Sequence, residues 1–385
     1  MIKIKNKEEC CGCTACASVC PYDAITMQPD GLGFLYPVVD DSRCVDCHLC
    51  EKVCAFNDKY DTSLNLLHPE AYGARHKDLK EIDLSRSGAA FVALSDWILE
   101  HGGIVYGAGY KDHFRVAHKR AASKEERDEF RGSKYVQSDL TGVFRSIKKD
   151  LDAGLIVMFS GTPCQTAGLN SYISKSLRKN LYLVDIVCHG VPGPYLWRDF
   201  IAYIEKKRKD KVCWVNFRDK QEFGWSAHRE TFKFVNDNKG KMTFKFLFYK
   251  HIMFRQSCGI CPYTNTKRPS DITLADFWGW EKTDPTFNAD DKGASLIFIN
   301  TEKGRGLFEK VHDKMNIISV RLEDCMQPNL CHPSTMHPKR MNFEKDYIHK
   351  GIEYVMKKYG EMGWRYKVSR IKTRLANLLS IKSNI

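Results

Sequence analysis

The chain has 385 residues, 16 of them cysteine, and a formal charge of +13. Its length allows a large core plus an appended module, and no apolar run approaches the ~20 residues needed to span a bilayer. The opening residues, MIKIKNKEEC, are polar and lack the apolar stretch of a secretory signal, so clustered thiols here are expected in a reducing cytoplasm rather than in a disulfide scaffold.

Cys10, Cys13, Cys16 and Cys20 read C-x2-C-x2-C-x3-C, with Pro21 directly after. Cys44, Cys47, Cys50 and Cys54 repeat that spacing, with Ala55 where the proline would be. Three thiolates at two-residue gaps can bend around one corner of a cubane, and the fourth reaches the neighbouring cluster. The expected ligand sets are therefore crossed: Cys10, Cys13, Cys16 and Cys54 on one 4Fe–4S cluster, Cys20, Cys44, Cys47 and Cys50 on the other. Zinc takes a single tetrahedral set, which two tandem runs with a Cys-Pro fit poorly. Residues 1–58 read as a two-cluster domain and resemble the bacterial two-cluster ferredoxins. Each cluster with its four thiolates leaves about two negative charges, so the formal charge overstates the real one.

Residues 57–69 read as a linker, after which the composition is that of a mixed globular domain. Ser85 or Ser87 can cap a helix in which Ala90, Phe91, Leu94, Trp97 and Ile98 recur at helical spacing, stopped by Gly102 and Gly103. Ile104 to Tyr106, Leu155 to Phe159 and Leu181 to Val187 read as buried strands. The last two lead into polar, cysteine-bearing turns, where α/β proteins place ligands. Val212 to Phe217, Thr231 to Val235 and Met242 to Phe248 are further strand candidates.

Cys164 lies in SGTPCQ, Cys188 in DIVCHG, and Cys258 and Cys261 in CGICPY. Their neighbours are Gly, Pro, Thr and His, which do not build cores, and together they make a full ligand set for a third 4Fe–4S cluster. Two alternatives stay open: a redox disulfide between Cys258 and Cys261, and four cysteines serving as small core residues. Cys213, Cys325 and Cys331 read as core cysteines, and Cys11 as a supernumerary neighbour in the first run.

SGAAFVAL at 87–94, RGSKYVQSDL at 131–140, SGTPCQTAGL at 160–169, DIVCHGVP at 185–192 and the span 254–279 occur in that order. Together they resemble the coenzyme F420 hydrogenase/dehydrogenase beta-subunit family of iron–sulfur flavoproteins, over roughly residues 70–335. The resemblance implies FAD, a 4Fe–4S cluster in the flavin domain, and often an N-terminal two-cluster ferredoxin. GxGxxG is absent, so the flavin cradle is expected at small-residue turns and helix starts. Ser87 and Gly88 would offer helix-start amides; Ser133, Lys134 and Tyr135 would add hydroxyls, a cation and a ring. Gly161 and Thr162 sit at another strand end. The alternative is that Ser87 is only an N-cap and Lys134 a solvated charge. His189 beside Cys188 is the candidate proton donor, with an orienting role as its alternative; Asp276 is a weaker candidate.

The expected fold is α+β: a small ferredoxin-like two-cluster domain (1–58), a larger mixed α/β flavin domain in two parts (70–150 and 151–335), and a basic helical tail (339–385). In the tail twelve Lys and Arg face four Asp and Glu. Ile352, Tyr354, Val355, Val368, Ile371, Leu375, Leu378 and Leu379 alternate with the cations. It can pack on the flavin domain, or dock on an acidic partner or an anionic membrane surface. No recognition motif accompanies the charge, so nucleic acid is not an expected partner. The combined reading is an oxidoreductase passing electrons between a ferredoxin-type donor and a small-molecule or deazaflavin-type substrate, because a flavin joins one-electron to two-electron chemistry. A non-catalytic electron-transfer subunit feeding a separate enzyme is the alternative.

Overall fold

The computed structural model describes residues 1–56, 60–236 and 244–361. In chain order its strands are β1 (Ile25–Pro29), β2 (Leu35–Val39), β3 (Asn65–His76), β4 (Ile104–Lys111), β5 (Arg115–Ala121) and β6 (Val157–Gly161). They continue with β7 (Leu181–Ile186), β8 (Val212–Asn216), β9 (Thr231–Phe234), β10 (Ile272–Asp276), β11 (Ser295–Thr301) and β12 (Met315–Val320). The pairs β1-β2 and β8-β9 are separate antiparallel hairpins. The other eight strands form one mixed sheet in the order β12-β3-β11-β10-β7-β6-β4-β5. Its centre, β10, β7, β6 and β4, is parallel, and both flanks are antiparallel.

The apolar runs explain why β6 and β7 lie in the middle. A parallel strand covered on both faces needs apolar residues without interruption, and successive residues point to opposite faces. Met158 and Val184 enter the core on one face, with Ala90, Leu94 and Ile98 of the helix Ala90–Glu100. Val157, Phe159, Leu181 and Leu183 enter the other, with Phe144, Ile147 and Leu151 of the helix Val143–Asp152. A third core joins the N-terminal module to the rest: Leu32 and Phe34 beside β2 pack with Trp197, Phe200, Phe217 and Phe232. Phe343, Tyr347, Val355 and Met356 of the terminal helix Arg340–Lys358 enter that same core. The helix breaks at Gly351, whose φ of +74° an L side chain rarely adopts. Its Lys350 and Lys358 pair with Asp346. Val368, Ile371, Leu375, Leu378 and Leu379 lie outside the described residues.

Four local expectations are corrected. β3 starts at Asn65, inside the span read as linker. Neither serine caps the helix after Gly88: its N-cap is Ala89, at φ +64°. Ser85 instead ends the helix Leu79–Leu84, and Ser87 Oγ donates to the Ala294 carbonyl. The apolar stretch ending at Phe248 is a helix, Lys245–Tyr249. Phe244, Leu247 and Phe248 reach the core at three- and four-residue intervals, which the two-residue period of a strand cannot supply. Cys213 and Cys331 are exposed rather than core residues, whereas Cys325 is fully buried. Among the described residues no helix is long and apolar enough to cross a membrane.

Candidate functional site

The two N-terminal runs share a backbone as well as a spacing. Gly12 and Thr14 sit at φ +71° and +68°, and their counterparts Asp46 and His48 at +50° and +60°. Each run then enters a short helix, Ala15–Val19 or Leu49–Lys52. Left-handed residues alternating with ordinary ones turn successive amides inward, as in anion-binding nests. Gly12 N donates to Cys10 Sγ at 3.3 Å, Ile2 N to Cys50 Sγ at 3.3 Å, and Ala24 N to Cys20 Sγ at 3.4 Å. Burial first, then the charges of Cys13, Cys10 and Cys54, pushes the Cys16 thiol well up. Cys54 in turn faces Cys13 and Cys10. Cys16, Cys20, Cys50 and Cys54 all pack in one small apolar group.

The second group is assembled at the C-terminal edge of the parallel strands. Cys164 lies in the first turn of the helix Pro163–Tyr172, directly after β6, and Cys188 lies two residues past β7. Cys258 and Cys261 belong to the 3-10 turn Gln256–Ile260 and its cap. Cys188 is pushed well up by burial and by the charges of Cys258, Cys164 and Cys261, so all four thiols share one neighbourhood. Burial likewise pushes Cys258 up to about 11. Cys164 goes the other way, to about 7, chiefly because Cys11 hydrogen-bonds to it. None of the sixteen cysteines, all among the described residues, is joined in a disulfide. Among the described residues no three His, Cys, Asp or Glu are placed to hold a single metal ion. Thiolates on a cubane each bond a different iron and stand wider apart than ligands of one ion. Soft thiolates are the donors iron–sulfur clusters take, so both groups fit such a cofactor.

The larger domain grips the N-terminal module by its backbone carbonyls. Gln137 Nε2 donates to the Cys11 carbonyl at 2.8 Å, Arg145 to those of Ala17, Ser18 and Cys20, Ser171 to Val53, and Tyr263 to Ala55.

The residues expected to cradle a flavin fall in three neighbourhoods. Ser87 and Gly88 lie against β3 and β11; a Cβ on Gly88 would stand 2.2 Å from the Ala74 carbonyl. Lys134 is turned into the carbonyls of Glu129, Arg131 and Gly132, and burial pushes its ammonium down to about 7. Ser133, beside it, is exposed. Gly161 and Thr162 lead into the Cys164 helix, with Thr162 Oγ1 3.3 Å from Cys164 Sγ. Tyr135 packs against Phe217, His228 and Phe248.

Between Ser87 and Tyr135 lies a set of cations that sequence reading missed. Arg86 and Arg218 both face Asp276 at the end of β10, and Arg86 Nη2 also donates to the Trp225 carbonyl at 2.7 Å. Arg86 Nε and Nη1, Arg218 Nε and Trp225 Nε1 are buried without a hydrogen-bond partner. Arg86 is pushed down to about 10 by burial, with Arg218's charge adding to it. One carboxylate for two guanidiniums leaves positive charge and spare donors, which suits a pyrophosphate or carboxylate. Asp276 is occupied by both arginines rather than free as a base. Arg86, directly before the Ser87 motif, carried the only sequence hint; Arg218 carried none.

His189 stands beside Cys188 with its Nε2 2.6 Å from Nε2 of His251. His251 Nδ1 is 2.8 Å from the Thr335 carbonyl, so it donates there and its Nε2 accepts. The His189 proton is therefore on Nε2. Burial, then His251, holds His189 down at about 4, so it is a neutral imidazole at neutral pH.

Two local thiol runs, docked on an α/β sheet that carries more thiols at its strand ends, define an iron–sulfur electron-transfer protein. Residues 9–57 match the 4Fe-4S dicluster domain, and residues 156–324 match the C terminus of the coenzyme F420 hydrogenase/dehydrogenase beta subunit. The chain carries both: an N-terminal 4Fe–4S dicluster domain and the C-terminal domain of that beta-subunit family. No curated protein matches it. Among solved structures it is similar to a chain from the F420-reducing NiFe hydrogenase complex from Methanosarcina barkeri, determined in a xenon-derivatised form. That chain is 17% identical, with 75% of this chain and 91% of the other covered at a TM-score of 0.46.

Proposed function

We propose that this protein is a cytoplasmic iron–sulfur flavoprotein oxidoreductase that takes electrons from a ferredoxin-type donor and delivers them to an organic substrate. Cys10, Cys13, Cys16 and Cys54 hold one N-terminal cluster and Cys20, Cys44, Cys47 and Cys50 the other. Cys164, Cys188, Cys258 and Cys261 hold a third. FAD lies between Ser87-Gly88 and Tyr135, where Arg86 and Arg218 neutralise its pyrophosphate. When bound, clusters carry single electrons, and a flavin collects two and passes them on as a pair. The protein's own part is to exclude water from the thiols and to hold positive charge beside the flavin, while His189, a neutral imidazole that gives its Nε2 proton to His251, takes the orienting role beside Cys188. Residues 1–58 form the electron-input domain and 70–335 the flavin domain.

The observation that carries the reading is the approach of four cysteines from three separate loops to one neighbourhood at the C-terminal edge of the sheet. Iron, sulfide and flavin analysis of anaerobically purified protein tests it. The expected content is about twelve irons and one flavin per chain. Arg86→Ala combined with Arg218→Ala should lose the flavin and keep the iron. Full flavin retention in that double variant moves the flavin elsewhere, and about eight irons removes the third cluster.

A further inference from the structure

The join between the two cysteine groups is built around one buried cation. Arg255 is 1% exposed. Its Nε donates to the Cys10 carbonyl at 2.7 Å, Nη2 to the Leu35 carbonyl at 2.8 Å, and Nη1 to Gln137 Oε1 at 2.9 Å. Its guanidinium lies 4.2 Å from the Tyr36 ring centroid and 5.4 Å from that of Phe34. All three acceptors are neutral, and among the described residues no carboxylate pairs with it. The buried Arg127, Arg268 and Arg340 differ, for they face Asp96, Asp185 and Glu344. A buried cation without a counter-ion is strongly unfavourable. The ionisable groups that Arg255 does face are thiols, which turn negative on ligating iron: Cys10 and Cys13 of one group, Cys164 and Cys258 of the other. Cys11 closes the same join, its thiol beside those of both Cys13 and Cys164. Opposite it, Gly168 lets the Cys164 helix approach so closely that a Cβ there would stand 2.7 Å from Cys13 Sγ.

We propose that Arg255 is a positioning residue for electron transfer between the two groups. Its one charge is shared by the cluster of Cys10, Cys13, Cys16 and Cys54 and the cluster of Cys164, Cys188, Cys258 and Cys261, and it makes both easier to reduce. The cluster of Cys20, Cys44, Cys47 and Cys50, whose Cys47 is exposed, is the outer one and meets the donor. This inference rests on the third cluster proposed above. One electron crosses the join, the N-terminal side being oxidised and the inner side reduced. No bond forms or breaks, and a reduced iron–sulfur donor supplies the electron. Net charge and hydrogen bonds set cluster potentials, so a cation shared by two clusters ties their potentials together.

The test is an EPR-monitored redox titration of the full chain, reconstituted anaerobically, as the unaltered protein, Arg255→Met and Arg255→Lys. In Arg255→Met, two of three midpoint potentials should move negative by about tenfold in the reduction equilibrium, about 59 mV for a one-electron couple. The third potential should stay put, and Arg255→Lys, which keeps the charge, should stay near the unaltered protein. Unchanged potentials in Arg255→Met at full iron content overturn the proposal, as do equal shifts in the Met and Lys variants. If Arg255→Met fails to assemble, the fully reduced unaltered protein decides. Magnetic coupling that disappears in Cys188→Ala supports the join, and uncoupled signals sink it. About eight irons in the unaltered protein overturns the third cluster and this inference together; about twelve with unmoved potentials overturns only the inference.

Discussion

In the N-terminal runs, Cys10 to Cys54, the backbone is shaped locally, by left-handed residues repeated at the same two places in each run. The second group has no such local device. Cys164 depends on the end of β6, Cys188 on the end of β7, and Cys258 and Cys261 on the turn ahead of β10, so the group exists only because those strands are hydrogen-bonded side by side. Donor sets of the same chemistry thus differ in what holds them: a short loop in one case, the parallel centre of the sheet in the other. The difference implies that damage to the sheet removes the second group before the first.

The largest effect expected from this contrast is in Cys188→Ala. It should lose about four of about twelve irons and keep the N-terminal eight, read by iron analysis and by the reduced EPR spectrum. Loss of all iron would show that the N-terminal runs also depend on the sheet-edge group.

A pH effect of intermediate size should arise beneath the second group alone. His118 on β5 is buried; its Nε2 donates to the Ser160 carbonyl at 2.9 Å, and Ser138 Oγ lies 2.8 Å from Nδ1. Gln165, one residue after Cys164, donates to the same Ser138. Burial holds the His118 imidazole down at about 4, against an ordinary 6.5. Between those values the unfolded chain binds a proton that the folded chain refuses. Stability from this group is therefore complete above about pH 6.5 and falls by up to about 3 kcal/mol as pH drops to about 4. Denaturant unfolding across that window should show the loss, and His118→Asn should flatten it. An equal acid slope in the variant would assign the effect to other groups.

The smallest effect should come from Gly168→Ala. The added methyl meets Cys13 Cβ and Sγ at 2.7 Å, so either the helix Pro163–Tyr172 or the first run must give way, at about 1–3 kcal/mol. Thermal unfolding measures it. An unchanged midpoint would mean that the two groups are less tightly apposed than their contact distances imply.

Much of this was legible in the sequence, for reasons that differ by residue. The N-terminal thiols could be read because cubane ligation by a short loop constrains spacing directly. β6 and β7 could be read because strands buried on both faces need unbroken apolar runs. Lys245–Tyr249 was misread because Phe, Leu and Tyr serve helix and strand equally, and only the core decided which period mattered. Lys134, a reasonable phosphate ligand by type, is turned away into three carbonyls. Arg218 and Arg255 could not be picked out from the 60 Lys and Arg of the chain, and Arg86 had only its place before the Ser87 motif to mark it, since burial of a cation leaves no mark on its neighbours in sequence.

By itself, then, the amino-acid order determined two thiol runs, a set of buried strands and the turn positions of four further cysteines, because each depends on residues close together in the chain. Tertiary structure alone decided that those four cysteines come into one neighbourhood, that Arg86 and Arg218 share one carboxylate, and that Arg255 sits between the two groups with no carboxylate paired to it among the described residues. These are relations between distant residues, set by strand order and by the docking of the N-terminal module through its carbonyls, and local spacing carries no record of them.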